Sequence, residues 1–125
     1  IASVADRLGM WNVIEAESGE LAGFVSLIRR EPDEDPELMY GLSSRFWGRG
    51  FATEAARAAL TYAFGTIDCA KVIAATDVPN CSSVRVMERL GFRFARRALL
   101  NDLDTLFYEL TRDAFLTASP DTTRR

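Results

Sequence analysis

The sequence predicts an α/β (α+β) fold, a mixed central sheet flanked by helices, and three observations predict it. Short β-branched and aromatic runs recur along the chain. Two stretches carry apolar residues at helical spacing. The pieces follow one another as strand, strand, strand, helix, strand, helix, strand, strand.

Trp11 to Ala16 and Leu21 to Ile28 read as two strands joined by a tight turn at Ser18-Gly19, which makes a hairpin. Glu31 to Pro36 is a solvated connector, because its prolines and carboxylates oppose both ladder pairing and burial. Leu38-Met39-Tyr40-Gly41-Leu42 is a short buried strand that leads into a glycine turn. From Phe51 to Phe64, Ala52, Ala55, Ala56, Ala59, Leu60 and Ala63 recur at spacings of three and four, the mark of an amphipathic helix with a narrow, close-packing face. Thr53 or a neighbour is expected to open it, with Glu54 at the positive end of the helix dipole. Lys71 to Thr76 is a strand, and Pro79-Asn80 announces a second helix with Asn80 as its N-cap. That helix carries Val86, Met87 and Leu90 on one side and ends at Gly91, where a left-handed cap suits glycine. Phe92 to Arg96 and Thr105 to Leu110 complete the sheet. Beyond Asp113 the composition turns to Ser, Thr, Pro and Arg, so residues 114–125 are expected to form a frayed tail.

With 125 residues the chain has the length of one domain, residues 1–125. A hydrophobic share of 48% beside 26% charged residues is that of a globular protein, and no apolar run approaches the roughly 18 residues of a membrane span. The net charge of -3 has no like-charged block behind it and argues against a duplex nucleic acid partner. Basic residues do cluster locally, at Arg45 and Arg49 and again from Arg85 to Arg97, which suits a small phosphate-bearing ligand. Two cysteines and no histidine leave no material for a disulfide framework, a zinc site or a histidine triad. A reducing cytoplasm is the expected compartment. The chain opens on Ile1 rather than Met, so its true N-terminus is expected to lie upstream.

Trp47-Gly48-Arg49-Gly50-Phe51-Ala52-Thr53-Glu54 joins a predicted strand to a predicted helix. Its glycines let the backbone turn sharply while unpaired N–H groups at the helix start point outward, an arrangement that attracts phosphate oxygens. The dinucleotide fingerprint and the P-loop are both excluded, since Gly48-x-Gly50 is followed by Thr53 and no Gly-Lys pair occurs. Taken alone, the turn is equally compatible with a structural role.

The segment Ser43 to Ala55 closely resembles the pyrophosphate-binding motif of the GNAT acetyltransferases, in the form found in the ribosomal-protein N-terminal acetyltransferase branch. Trp47 stands where that motif usually has Gln or Arg. Asn80 to Phe92 resembles the branch's N-x-x-S-x-x-V-x-x-x-x-G-F segment, and Gly19 to Val25 its Gly-Glu-hydrophobic-x-Gly strand. The resemblance implies a GNAT-like sheet whose initial strand and helices are missing, Ala5-Asp6-Arg7-Leu8 being the end of the second helix. It implies acetyl-CoA bound between two splayed parallel strands, with Trp47, Gly48, Arg49, Gly50, Phe51, Ala52 and Thr53 at the pyrophosphate. Asn80, Ser83 and Arg85 are further contacts, and homodimers are common among members.

The implied reaction is direct attack of a primary amine, from a protein N-terminus or a small molecule, on the thioester. That chemistry needs an oxyanion donor, a base and an acid. By resemblance a backbone N–H at Leu42 is the first. Glu37, the acidic residue beside the strand, is the candidate base, with simple solvent exposure as its alternative role. Tyr40 is the other polar candidate there, with core packing as its alternative. Met87 occupies the position where many members have an acid tyrosine, and Ser83 is the implied substitute, unless its hydroxyl serves the helix cap. Cys81 has no histidine to activate it. A non-catalytic acyl-CoA-binding module and a nucleotide-phosphate enzyme are the rival readings.

Overall fold

The computed structural model describes residues 7–29, 34–77 and 81–118. Strands β1 (Arg7–Ile14), β2 (Leu21–Ile28) and β3 (Glu37–Leu42) are followed by a 3₁₀ turn at Ser44–Phe46 and helix α1 (Phe51–Tyr62). A π turn at Ala63–Ile67 extends α1, and then come β4 (Lys71–Asp77), α2 (Cys81–Leu90), β5 (Arg93–Leu100), β6 (Leu103–Thr111) and α3 (Arg112–Ala118). The six strands lie in the order β1-β2-β3-β4-β6-β5. β3 and β4 are parallel, as a helical crossover through α1 requires, and every other neighbouring pair is antiparallel. The mixed sheet and the order of its elements match the expectation.

Alternation decides which face is covered. Val25 and Leu27 of β2 stand opposite Tyr40 and Leu38 of β3, and all four join the core formed with Ala56, Ala59 and Leu60 of α1. Val72 and Ala74 of β4 and Leu110 of β6 meet Met87 and Leu90 of α2 in the same cluster. Each large apolar side chain fully buried here contributes roughly 1.5–3 kcal/mol. On the opposite face Met10, Phe24 and Met39 are exposed.

Several boundaries differ from those expected. Arg7 and Leu8 belong to β1, not to a helix end, because the eight residues of β2 offer them partners, with Arg7 opposite Ile28. α1 opens at Phe51 instead of Thr53. Its N-cap is Gly50 in the left-handed region (φ 83°), with no side-chain cap hydrogen bond, and the first helical bond runs from the Glu54 N–H to the Gly50 carbonyl at 3.0 Å, so the hydroxyl cap expected near Thr53 does not form. β5 continues to Leu100 because Asn101 and Asp102 both take positive φ (51° and 67°), the geometry of a tight two-residue hairpin. Residues 114–118, expected in the tail, lie in α3, where Phe115 is buried against Phe64 with ring centroids 5.2 Å apart. At Gly91 (φ 97°) the expected cap forms, with the Phe92 N–H donating to the Met87 carbonyl and the Gly91 N–H to that of Glu88.

Candidate active site

The site is built around a gap in the sheet. β3 and β4 share one register pair, Glu37 opposite Ile73, and the Ile73 N–H donates to the Pro36 carbonyl at 2.9 Å. Beyond that pair no further β3–β4 register is formed among the described residues. On the other side of β3, the Ser43 N–H donates to the Ala22 carbonyl at 2.9 Å. Antiparallel alternation then turns the N–H and C=O of Tyr40 and Leu42 away from β2 and into the gap. The indole Nε1–H of Trp47 donates to the Leu42 carbonyl at 3.0 Å, which satisfies that acceptor and leaves the N–H as the donor Leu42 offers.

The glycine turn closes one end of the gap. Gly48 (φ 74°) and Gly50 (φ 83°) are both left-handed, and a Cβ at either would meet nothing within 4 Å. The chain therefore keeps open space directly over the N-terminus of α1, where the first N–H groups have no helical acceptor. Phe46 is buried beneath the turn, and Phe51, Ala52 and Thr53 are half-buried on it.

The two arginines of the turn are held by the β1–β2 hairpin. Arg45 pairs with Glu20 at 3.0 Å and Arg49 with Glu15, while both guanidinium groups lie over the Phe46 ring, at 5.1 and 5.5 Å. The Ser18 hydroxyl and Arg49 hold the Glu15 carboxyl below its ordinary value. The Arg49 side chain is thus engaged by Glu15 and the Phe46 ring. Two further arginines line the space beside the turn: Arg57, which the sequence reading missed, and Arg89, which it placed in the basic cluster from Arg85 to Arg97. A groove of about 580 Å³ runs from Gly50 and Thr53 along α1 to Arg57, and Arg89 of α2 lines it too. The signal for Arg57 was helical spacing, four residues after Thr53 on the same face.

At the gap, the Tyr40 hydroxyl and Ser83 Oγ are 3.1 Å apart, joining β3 to α2. Burial pushes the Tyr40 phenol above its ordinary value, against the lesser opposite effect of the Ser83 hydrogen bond. Met87 is buried, 1% exposed, and a thioether has no proton to give. Glu37 is half-buried at the paired end of β3, three residues from Tyr40, so its side chain belongs to the opposite face of the sheet. Arg85 is exposed on α2, and Asn80 lies outside the described residues. Cys69 is buried, with its thiol pushed up by burial, and makes a poor nucleophile. Among the described residues no group of three or more potential ligands could hold a metal, and no helix is long and apolar enough to cross a membrane.

The acetyltransferase (GNAT) domain model matches residues 2–93, well over half of the chain. The chain belongs to the GNAT acetyltransferase family. Bacillus subtilis YkkB is 31% identical over 91 residues, covering 71% of this chain and 53% of that protein. Escherichia coli spermidine N(1)-acetyltransferase is 31% identical over 81 residues, covering 64% and 43%. The crystal structure of ribosomal-protein-S5-alanine acetyltransferase from Vibrio fischeri superposes with a TM-score of 0.74 at 23% identity, over 85% of this chain and 62% of that one, and shows the shared GNAT fold. The chain thus spans about half the length of curated relatives such as YkkB.

Proposed function

We propose that this chain is the acetyl-CoA-binding and catalytic core of an N-acetyltransferase acting on a primary amine. The observation that carries this reading is the parting of β3 and β4 after a single pair, beside a glycine turn that keeps the N-terminus of α1 open. The residues present fit coenzyme A. The turn receives the diphosphate on main-chain N–H groups, and the groove lined by Arg57 and Arg89 has room and charge for the phosphorylated ribose. When bound, acetyl-CoA supplies an activated acyl group. The Leu42 N–H, aimed into the gap, then stabilises charge gathering on the carbonyl oxygen. On this reading the amine approaches from the face of Glu37, which takes its proton through water. Free, buried Cys69 suits a reducing compartment, and the reading includes a cytoplasmic location.

Thermal shift tests binding. CoA at about a hundred times its dissociation constant should raise Tm by roughly 10 °C, with no comparable shift from ATP. A larger shift with ATP would turn the reading toward a nucleotide-phosphate enzyme, and CoA binding without thiol release on an amine panel would leave a binding module. Spermidine leads that panel, on the name of the Escherichia coli relative. Glu37→Gln should lower kcat by about a hundredfold while acetyl-CoA affinity holds, measured by single-turnover thiol release. An unchanged rate removes Glu37 from the reaction.

A further inference from the structure

Collapse of an acyl-transfer reaction leaves a thiolate that needs a proton, and Met87 cannot give one. Two hydroxyls meet at the gap instead. Tyr40 comes from β3, whose main chain at Tyr40 and Leu42 faces the gap, and Ser83 comes from the helix that follows β4. Their oxygens lie 3.1 Å apart, and either can be the donor.

We propose that Tyr40 is the proton donor to the departing thiolate and that Ser83 is its positioning residue. This rests on the acetyl-transfer reading above. The amine nitrogen bonds to the thioester carbonyl carbon, the C–S bond breaks with its electron pair on sulfur, and the Tyr40 O–H gives its proton to that sulfur. The proton lost by the amine passes through water to Glu37 and on to solvent, solvent returns one to the phenolate, and the sum is amine plus thioester to amide plus thiol. Of the two hydroxyls the phenol is the donor because it is much the stronger acid, its ordinary pKa of about 10 lying far nearer than an alcohol's to the thiol's, about 8.5. An aliphatic alcohol is far less able to release its proton. Burial disfavours the phenolate and keeps the proton on Tyr40 until a thiolate forms beside it. Ser83 fixes the χ angles of a ring that packs partly into the core and holds its hydroxyl where β3 meets α2.

The test needs no acceptor. Dissociation constants of CoA and desulfo-CoA are measured for the full chain and its variants at alkaline pH, where the bound thiol ionises. The wild type should prefer CoA by about tenfold or more, the scale of a hydrogen bond to a charged group. Tyr40→Phe should keep desulfo-CoA affinity and lose that preference. Ser83→Ala should lose part of it, and Ser83→Thr should restore it. With a competent amine, Tyr40→Phe should lower kcat by about a hundredfold or more at unchanged KM. Failure of the wild type to bind either compound overturns the acetyl-transfer reading itself. Equal affinities in the wild type, or a preference that survives Tyr40→Phe, overturn the proton-donor assignment alone.

Discussion

Gly50→Val is expected to lower CoA affinity by more than a hundredfold while the chain still folds. Within the protein the new side chain meets no obstacle, because nothing lies within 4 Å of a Cβ at this position. The cost to folding is conformational: φ is 83°, and a non-glycine residue in the left-handed region loses roughly 1–2 kcal/mol. That should lower Tm by several degrees without abolishing the fold. The cost to binding is steric, since the isopropyl group fills the space over the N–H groups of α1 that a diphosphate would occupy. Gly50→Asn separates the two effects, because Asn tolerates this φ and still fills the space. It should fold nearly as well as the wild type and bind CoA as poorly as the valine variant. Gly65→Ala is the control, a glycine also open on its Cβ side but in the turn after α1, and it should leave binding unchanged. Calorimetric titration with CoA decides, and undiminished affinity in Gly50→Asn would remove the diphosphate from this turn.

That turn was legible in the sequence because its constraint is local: two positive-φ residues must be glycines, and an amphipathic helix with periodic alanines must follow. The same holds for the cap at Gly91 and for the alternating strands. What the sequence concealed was set by contacts between distant residues. The last helix, seven residues long, is too short to announce itself by periodicity, and it forms where Phe115 finds Phe64. Arg45 and Arg49 looked like free cations because nothing near them in the chain shows that Glu20 and Glu15 of the hairpin will reach across. The Tyr40–Ser83 contact joins residues 43 apart, so each could be named as a candidate and neither could be paired with the other. Asn101-Asp102 is the exception, a short turn signal that sequence reading could have used to extend β5.

Gly23→Ala should be the most damaging single methyl in the sheet. A Cβ at Gly23 would lie 2.0 Å from the Gly41 carbonyl oxygen and 2.9 Å from both Gly41 C and Leu42 Cα, all of them main-chain atoms that no rotamer change can move. β2 and β3 would have to separate where the Ser43 N–H meets the Ala22 carbonyl. Overpacking of this kind costs roughly 1–3 kcal/mol, occasionally more, so a fall in Tm on the order of 10 °C is expected. Gly41→Ala is the informative comparison. There the nearest atom is the tip of the Phe24 ring at 2.7 Å, and that side chain is 38% exposed and can swing aside, so the loss should be several times smaller. Urea denaturation of both variants checks the ranking, and a Gly23→Ala protein within about 0.5 kcal/mol of the wild type would contradict it. The consequence reaches the gap as well. The pairing that Gly23 permits is what turns the Leu42 N–H away from β2, so Gly23→Ala should also reduce turnover at temperatures where the chain is still fully folded.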